Sequence, residues 1–307
     1  MATAAARMPA VFIGHGSPMN TLARNRYTDV WRRLGETLPE PKAILAVSAH
    51  WMTHGTAVTA MDKPRTIHDF NGFPQELFEV HYPAPGSPPL AARVRELLMS
   101  TEAAYATSLS RGSRLDPIGE VRLDQSWGLD HGTWSVLAHL FPEANVPVVQ
   151  LSLAASRPPR YHYDLGARLA PLRDEGVLIV GSGNVVHNLG QIQWAADAKP
   201  YDWAVSFNEQ VRAHLAAHEH QPLIDYASLG DNARLSVPTP EHFLPLLYVI
   251  ATQDNNEAVS LPVDGIEHGS IGMLTAIAGL QADQTRPGLQ HRARTDRLRP
   301  VSRGRLA

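Results

Sequence analysis

Ala43-Ile44-Leu45-Ala46-Val47-Ser48-Ala49-His50-Trp51 decides the reading of this chain. Five apolar residues, rich in aliphatic side chains, lead into a small polar residue and then a histidine. An apolar run this short, bounded by turn-forming or polar residues, reads as a strand buried on both faces. Runs of the same kind recur at residues 10–13, 146–153 and 177–180, and 56–60 reads as a weaker strand at a sheet edge. Between them, 89–98, 133–140, 161–173 and 203–218 carry apolar residues at helical spacing, and a further helix is expected over 243–252. Buried strands alternating with helices predict an α/β layered architecture.

The 307 residues can form one large domain with a tail or two closely packed domains. With 44% hydrophobic and 19% charged residues, a sizeable core is available and wholesale disorder is excluded. The formal net charge of −3 gives no general electrostatic case for nucleic acid or an anionic membrane. Cysteine is absent, which removes disulfides, thiol nucleophiles, thiolate metal sites and iron–sulfur clusters. No apolar run reaches the roughly 18 residues of a membrane span, and residues 1–9 lack the apolar stretch of a signal peptide. A cytoplasmic protein is the expectation. Residues 281–307 hold seven Arg against two Asp, a net charge of +5, which leaves the rest at −8 for a total of −3. That segment reads as a solvated tail rather than a nucleic-acid arm, because no aromatic residue interleaves the arginines. Residues 101–123 read as a long surface loop.

Histidine is the over-used residue, with 15 in the chain. Three of them follow predicted strands. His15 lies in Gly14-His15-Gly16-Ser17-Pro18, His50 in Ser48-Ala49-His50-Trp51, and His187 in Gly183-Asn184-Val185-Val186-His187-Asn188. Ligands of open α/β sheets bind outside the carboxyl ends of strands, so imidazoles leaving three such ends can converge on one point. One such histidine alone reads as a hydrogen-bonded loop residue; three at equivalent positions favour a metal or catalytic site. His242, in Pro238-Thr239-Pro240-Glu241-His242, and His131, in Gly128-Leu129-Asp130-His131-Gly132, are further candidates. Neither Gly14-His15-Gly16 nor Gly181-Ser182-Gly183 continues into a dinucleotide fingerprint, and no phosphate-binding loop or nucleophile elbow is present. Ser17 and Ser182 are more readily turn residues than nucleophiles, and His218-Glu219-His220 reads as a solvated helix end.

At these residues the chain resembles a known family. Phe12-Ile13-Gly14-His15-Gly16-Ser17-Pro18-Met19, Val47-Ser48-Ala49-His50-Trp51, Ile67-His68-Asp69-Phe70-Asn71-Gly72-Phe73-Pro74 and Tyr82-Pro83-Ala84-Pro85-Gly86 are similar to the DOPA-type extradiol ring-cleavage dioxygenases. So are Trp127-Gly128-Leu129-Asp130-His131-Gly132, Gly183-Asn184-Val185-Val186-His187-Asn188-Leu189 and Pro238-Thr239-Pro240-Glu241-His242. These enzymes form the class III, protocatechuate 4,5-dioxygenase β-subunit-like superfamily. The resemblance implies a single domain over residues 8–280, with a central, mostly parallel sheet flanked by helices, and a tail at 281–307. It maps metal binding onto His15 and His50, with His187 and His242 completing the cluster. Related enzymes hold iron with two histidines and a carboxylate. Here His242 takes the carboxylate's place, which makes zinc as plausible an occupant as iron(II).

One divalent ion per chain is therefore expected, Fe(2+) for activity or Zn(2+) in protein as isolated. The expected partners are a small aromatic diol and O2, with no nucleic acid and no membrane; the oligomeric state stays open. A catechol must lose protons to chelate a metal, and imidazole exchanges protons near neutral pH. His187 is the first choice for that acid/base and His131 the second. Ser17, Trp51, Phe70, Phe73 and Tyr82 are the candidate substrate pocket, although ordinary core aromatics fit as well. The same histidines also suit a zinc hydrolase or a metal-stabilised protein without catalysis.

Overall fold

A computed structural model describes residues 7–100, 119–195 and 197–280. The predicted tail and most of the predicted loop lie outside these residues. Ten strands are described: β1 (Ala10–Gly14), β2 (Ala43–Thr53), β3 (Thr56–Thr59), β4 (Val121–Asp124), β5 (Val148–Ala154), β6 (Val177–Gly183), β7 (Val259–Val263), β8 (Ile266–Glu267), β9 (Ile271–Gly272) and β10 (Thr275–Ala278). Eight of them form one sheet in the order β4-β3-β5-β2-β6-β1-β10-β7, and β8 pairs with β9 in a small hairpin. The centre, β5-β2-β6-β1, is parallel throughout. One flank is closed by antiparallel β10 and β7, while at the other β3 runs antiparallel to β5 and parallel to β4.

Alternation along the strands divides the core into two apolar layers. Ala10 and Phe12 of β1 point into one, and Val11 and Ile13 into the other. Helices Pro88–Met99, Pro159–Leu169, Asp202–Ala216 and Leu244–Ala251 supply apolar residues to the first layer. Arg26–Thr37 and His131–Leu140 supply the second. Helices on both faces are what a parallel sheet requires, since its strands are buried on both sides.

Three expectations change. β3 is not at the edge, because β4 covers it, and β4 also takes residues 121–123 out of the predicted loop. The helix expected over 161–173 is two, Pro159–Leu169 and Pro171–Asp174, since Pro171 has no N–H to continue the first. The C-terminal antiparallel flank, β7 and β10, was not predicted. No helix among the described residues is long and apolar enough to cross a membrane.

Candidate metal centre

The three adjacent strands β2, β6 and β1 end at the same rim of the sheet, and each delivers a histidine there. His15 follows β1 directly, and its backbone N–H donates to Gly183 O at 3.1 Å, which locks it to the end of β6. His50 lies inside β2 where the pairing with β5 loses register, between Val47 and Met52. Such irregularities re-aim side chains near sites. His187 is four residues past β6 and bridges to Ile271. His242 reaches the same rim from the other side: its carbonyl accepts the Asn184 N–H at 2.8 Å. Gly183 makes this approach possible, because a Cβ there would stand 2.1 Å from His242 O. His131 joins as the first residue of its helix, capped by Asp130, whose side chain accepts from Thr133 N.

These five imidazoles, with His268 at the same wall, line one cavity of about 210 Å³. The His15 ring lies 5.2 Å from His50, 5.4 Å from His242 and 5.7 Å from His131, centre to centre. His50 is 3.9 Å from His131 and 5.1 Å from His242. His187 makes no ring contact with His15 or His50; it stacks on His242 at 3.4 Å with planes 9° apart. Atoms able to ligate a metal cluster in two groups, His15 with His50 and His131, and His187 with Glu241 and His242.

The hydrogen bonds fix which nitrogen faces the cavity. Ser182 Oγ donates to Gly132 O at 2.5 Å, so it accepts from His15 Nδ1 at 2.9 Å. His15 then keeps its Nε2 lone pair for the cavity. Glu241 Oε1 accepts from His242 Nδ1 at 3.2 Å, with the same result. Asp69 does this for two rings: Oδ2 accepts from His131 Nδ1 at 2.9 Å and faces His50 Nδ1 at 3.4 Å. Its other oxygen accepts the His131 backbone N–H at 2.8 Å. Holding the outer nitrogen with a carboxylate or hydroxyl is the usual support of a metal-ligating histidine. The His187 ring has no such anchor among the described residues.

This arrangement fits a cation. The Nε2 atoms of His15 and His50 stand 3.3 Å apart. With both Nδ1 positions protonated, two lone pairs face each other across that gap. Two nitrogens bound tetrahedrally at about 2.1 Å from one ion are separated by about 3.4 Å. Burial, reinforced by the neighbouring imidazoles, holds His15 and His242 well below the ordinary histidine pKa. Burial and then His131 bring His50 to about 3, and burial brings His187 to about 4. The rings are therefore neutral donors at neutral pH. Burial pushes the Asp69 carboxyl up, but its bonds from His131 outweigh this and leave it below the usual value, an anion beside the cluster. Asp130, by contrast, is raised to about 6, by burial first and the charge of Asp69 second.

Of the predicted pocket, Ser17, Phe70 and Phe73 line the cavity. Trp51 and Tyr82 do not, and both are corrected. Successive residues of a strand face opposite ways, so Trp51 points away from His50 and stacks on Trp127 with ring centres 5.5 Å apart. Tyr82 is 2% exposed and donates its hydroxyl to Phe141 O at 2.9 Å, inside the second apolar layer. Ile271 and Ile192 complete an apolar wall, with Leu189 and the 76%-exposed Trp194 at the mouth. Sequence reasoning missed Asp69 as a site residue. It lay in the block around His68 and Phe70, but only the fold brings it to His131 and His50.

Known proteins resemble this chain over nearly all of that framework. Residues 9–273 match the family described as the catalytic LigB subunit of aromatic ring-opening dioxygenase. A protein of Escherichia coli K12 named 4,5-DOPA dioxygenase extradiol is 51% identical over 276 residues, 89% of this chain and 95% of the relative. One of Beta vulgaris with the same name is 36% identical, over 81% of this chain and 88% of the relative. The crystal structure of an uncharacterized protein from Escherichia coli K12 superposes with a TM-score of 0.73 at 47% identity, covering 89% of this chain and 100% of that one.

Proposed function

The chain belongs to the LigB family of aromatic ring-opening dioxygenases, so it is a metal-dependent enzyme that opens an aromatic ring with O2, and on that premise we propose that its substrate is a DOPA-like catechol and its working ion iron(II). The observation that carries the reading is the convergence of His15, His50 and His242 on one cavity, each with Nδ1 held from behind. We assign these three as the ligands. His187, expected from the sequence as a fourth ligand, is given to proton transfer instead. A ligated ion lies near the plane of its imidazole, and two parallel planes stacked at 3.4 Å share no point within bonding reach of both rings.

Held by His15, His50 and His242, iron(II) would supply the redox chemistry that activates O2, which zinc, having none, would not. The protein's part is proton handling and placement. His187, neutral at neutral pH, accepts a catechol proton as the diol approaches and returns it when the O–O bond breaks. His131, oriented by Asp69, presents its Nε2 lone pair to the same space, where it can accept a proton from the diol. Phe70 and Phe73 stack edge-on at 5.3 Å and offer the aromatic ring a dry wall. The bond beside the diol opens, and both atoms of O2 enter the product.

Loading metal-free protein with iron(II) or zinc without air, then adding L-DOPA and O2, tests this. Iron-loaded protein should consume O2 mole for mole with catechol and form a yellow ring-opened semialdehyde, and zinc-loaded protein should do neither. Equal activity with both ions, or none with iron across several catechols, would refute the iron-dioxygenase reading and return the zinc hydrolase to consideration.

A further inference from the structure

Ile271, on the wall of the catalytic cavity, is paired on both sides. It bridges to His187 on one side and pairs with Glu267 on the other. Directly opposed residues project from the same face, and each strand step is about 4.8 Å. Glu267 therefore stands on the face that carries His187, about 10 Å from it at the backbone. Here a second cavity of about 380 Å³ opens, bordered by Arg26, Tyr27, Ile266 and Glu267. His268 lines both cavities. It is fixed between them by a left-handed backbone, with φ at 50°, and by its Nδ1 donating to Gln193 O at 3.2 Å.

The two charged groups of this second cavity are under-used. Glu267 is half-buried, and its carboxylate has no hydrogen bond or ion pair among the described residues. Burial raises its pKa against the opposing charges of His268 and Arg26, so it gains from a cation supplied from outside. Arg26 spends Nη2 on Tyr27 Oη and Asp264 O, both at 2.8 Å, and leaves Nη1 and Nε without a protein partner among the described residues. It is also the first residue of the helix Arg26–Thr37, whose amino end favours an anion. One half-buried carboxylate and one half-used guanidinium in one cavity, which shares His268 with the ring-binding space, match a zwitterion.

We propose that the cavity of Arg26, Glu267 and His268 is the seat for an amino-acid substituent on the catechol, with Glu267 taking its ammonium and Arg26 its carboxylate. The proposal rests on the dioxygenase reading and adds to it the groups that select the substrate. His268 Nε2 lies along the path of the arm and steers it past Ile271.

Four catechols separate the contributions: L-DOPA carries both charges, dopamine the ammonium, 3,4-dihydroxyphenylpropionate the carboxylate, and 4-methylcatechol neither. Calorimetry on zinc-loaded protein, which does not turn over, reads binding alone. The wild type should bind L-DOPA at least about tenfold more tightly than 4-methylcatechol, the range of one charged hydrogen bond. Glu267→Gln should abolish the preference for dopamine over 4-methylcatechol, lower that for L-DOPA and spare that for 3,4-dihydroxyphenylpropionate. Arg26→Met should abolish the preference for 3,4-dihydroxyphenylpropionate, lower that for L-DOPA and spare that for dopamine. If the wild type shows no preference, or the variants weaken all four ligands by the same factor, the proposal is overturned. Oxygen uptake with 4-methylcatechol by iron-loaded wild type reports separately on the dioxygenase reading. Its failure alongside an intact binding preference would sink the chemistry and leave the seat standing.

Discussion

His187 and His242 lie face to face, yet the surroundings treat them differently. Glu241 accepts from His242 Nδ1, while the His187 ring is unanchored among the described residues. A ligand benefits from a fixed tautomer and ring direction, whereas a proton carrier must serve as acceptor and then donor. His242→Asn should therefore lower metal affinity about 10–100-fold or more, the range seen when even the supports of a ligand are removed. His187→Asn should keep the metal and slow turnover by about 10²–10⁴-fold. Metal content after dialysis, measured beside the rate, checks both. The reverse pattern, metal lost with His187 and kept with His242, would exchange the two assignments. Most of these residues were readable because strand-end histidines advertise themselves in the sequence. The division of labour among them was not, since it depends on ring planes and on Asp69, about sixty positions from His131 but bonded to it twice.

At the scale of elements, the parallel centre was legible for a plain reason. A strand buried on both faces must be apolar throughout, and β1, β2, β5 and β6 announce themselves as runs. Flanking strands carry a weaker pattern. β7 alternates exposed and half-buried positions, and Val121–Asp124 is only four residues long. The helix Arg26–Thr37 escaped notice although its signals are present: Asn25 and Thr28 form a capping box, and Tyr27, Trp31 and Leu34 share its buried face. Packing between elements also sets a pH response away from the site. His162, on the helix Pro159–Leu169, is fully buried against Tyr248 of Leu244–Ala251, with Nδ1 3.0 Å from the phenol oxygen. Burial lowers its pKa from 6.5 to about 4. Between those values the unfolded chain binds a proton that the folded chain refuses, so stability is retained above pH 6.5 and falls as the pH drops toward 4. Denaturant unfolding at pH 7 and pH 5 should show a smaller acid loss for His162→Gln than for the wild type. An equal loss in both would mean that His162 does not carry the effect.

For the molecule as a whole, the sheet acts as a jig. Three neighbouring parallel strands end together, and the crossovers between them leave space at that rim for donors arriving from elsewhere in the chain, His131 at a helix start and His242 ahead of Leu244–Ala251. Buried neutral imidazoles, one nearby carboxylate and aromatic walls then form a site that suits a divalent ion and a flat diol. The most direct test is the anomalous-scattering map of crystals loaded with iron(II) without air and soaked with a catechol. A single peak is predicted within about 2.2 Å of Nε2 of His15, His50 and His242. The catechol oxygens should complete its coordination, with His187 and His131 beyond bonding distance. A peak held by His187 and Glu241, or no ordered metal in this cavity, would contradict the account.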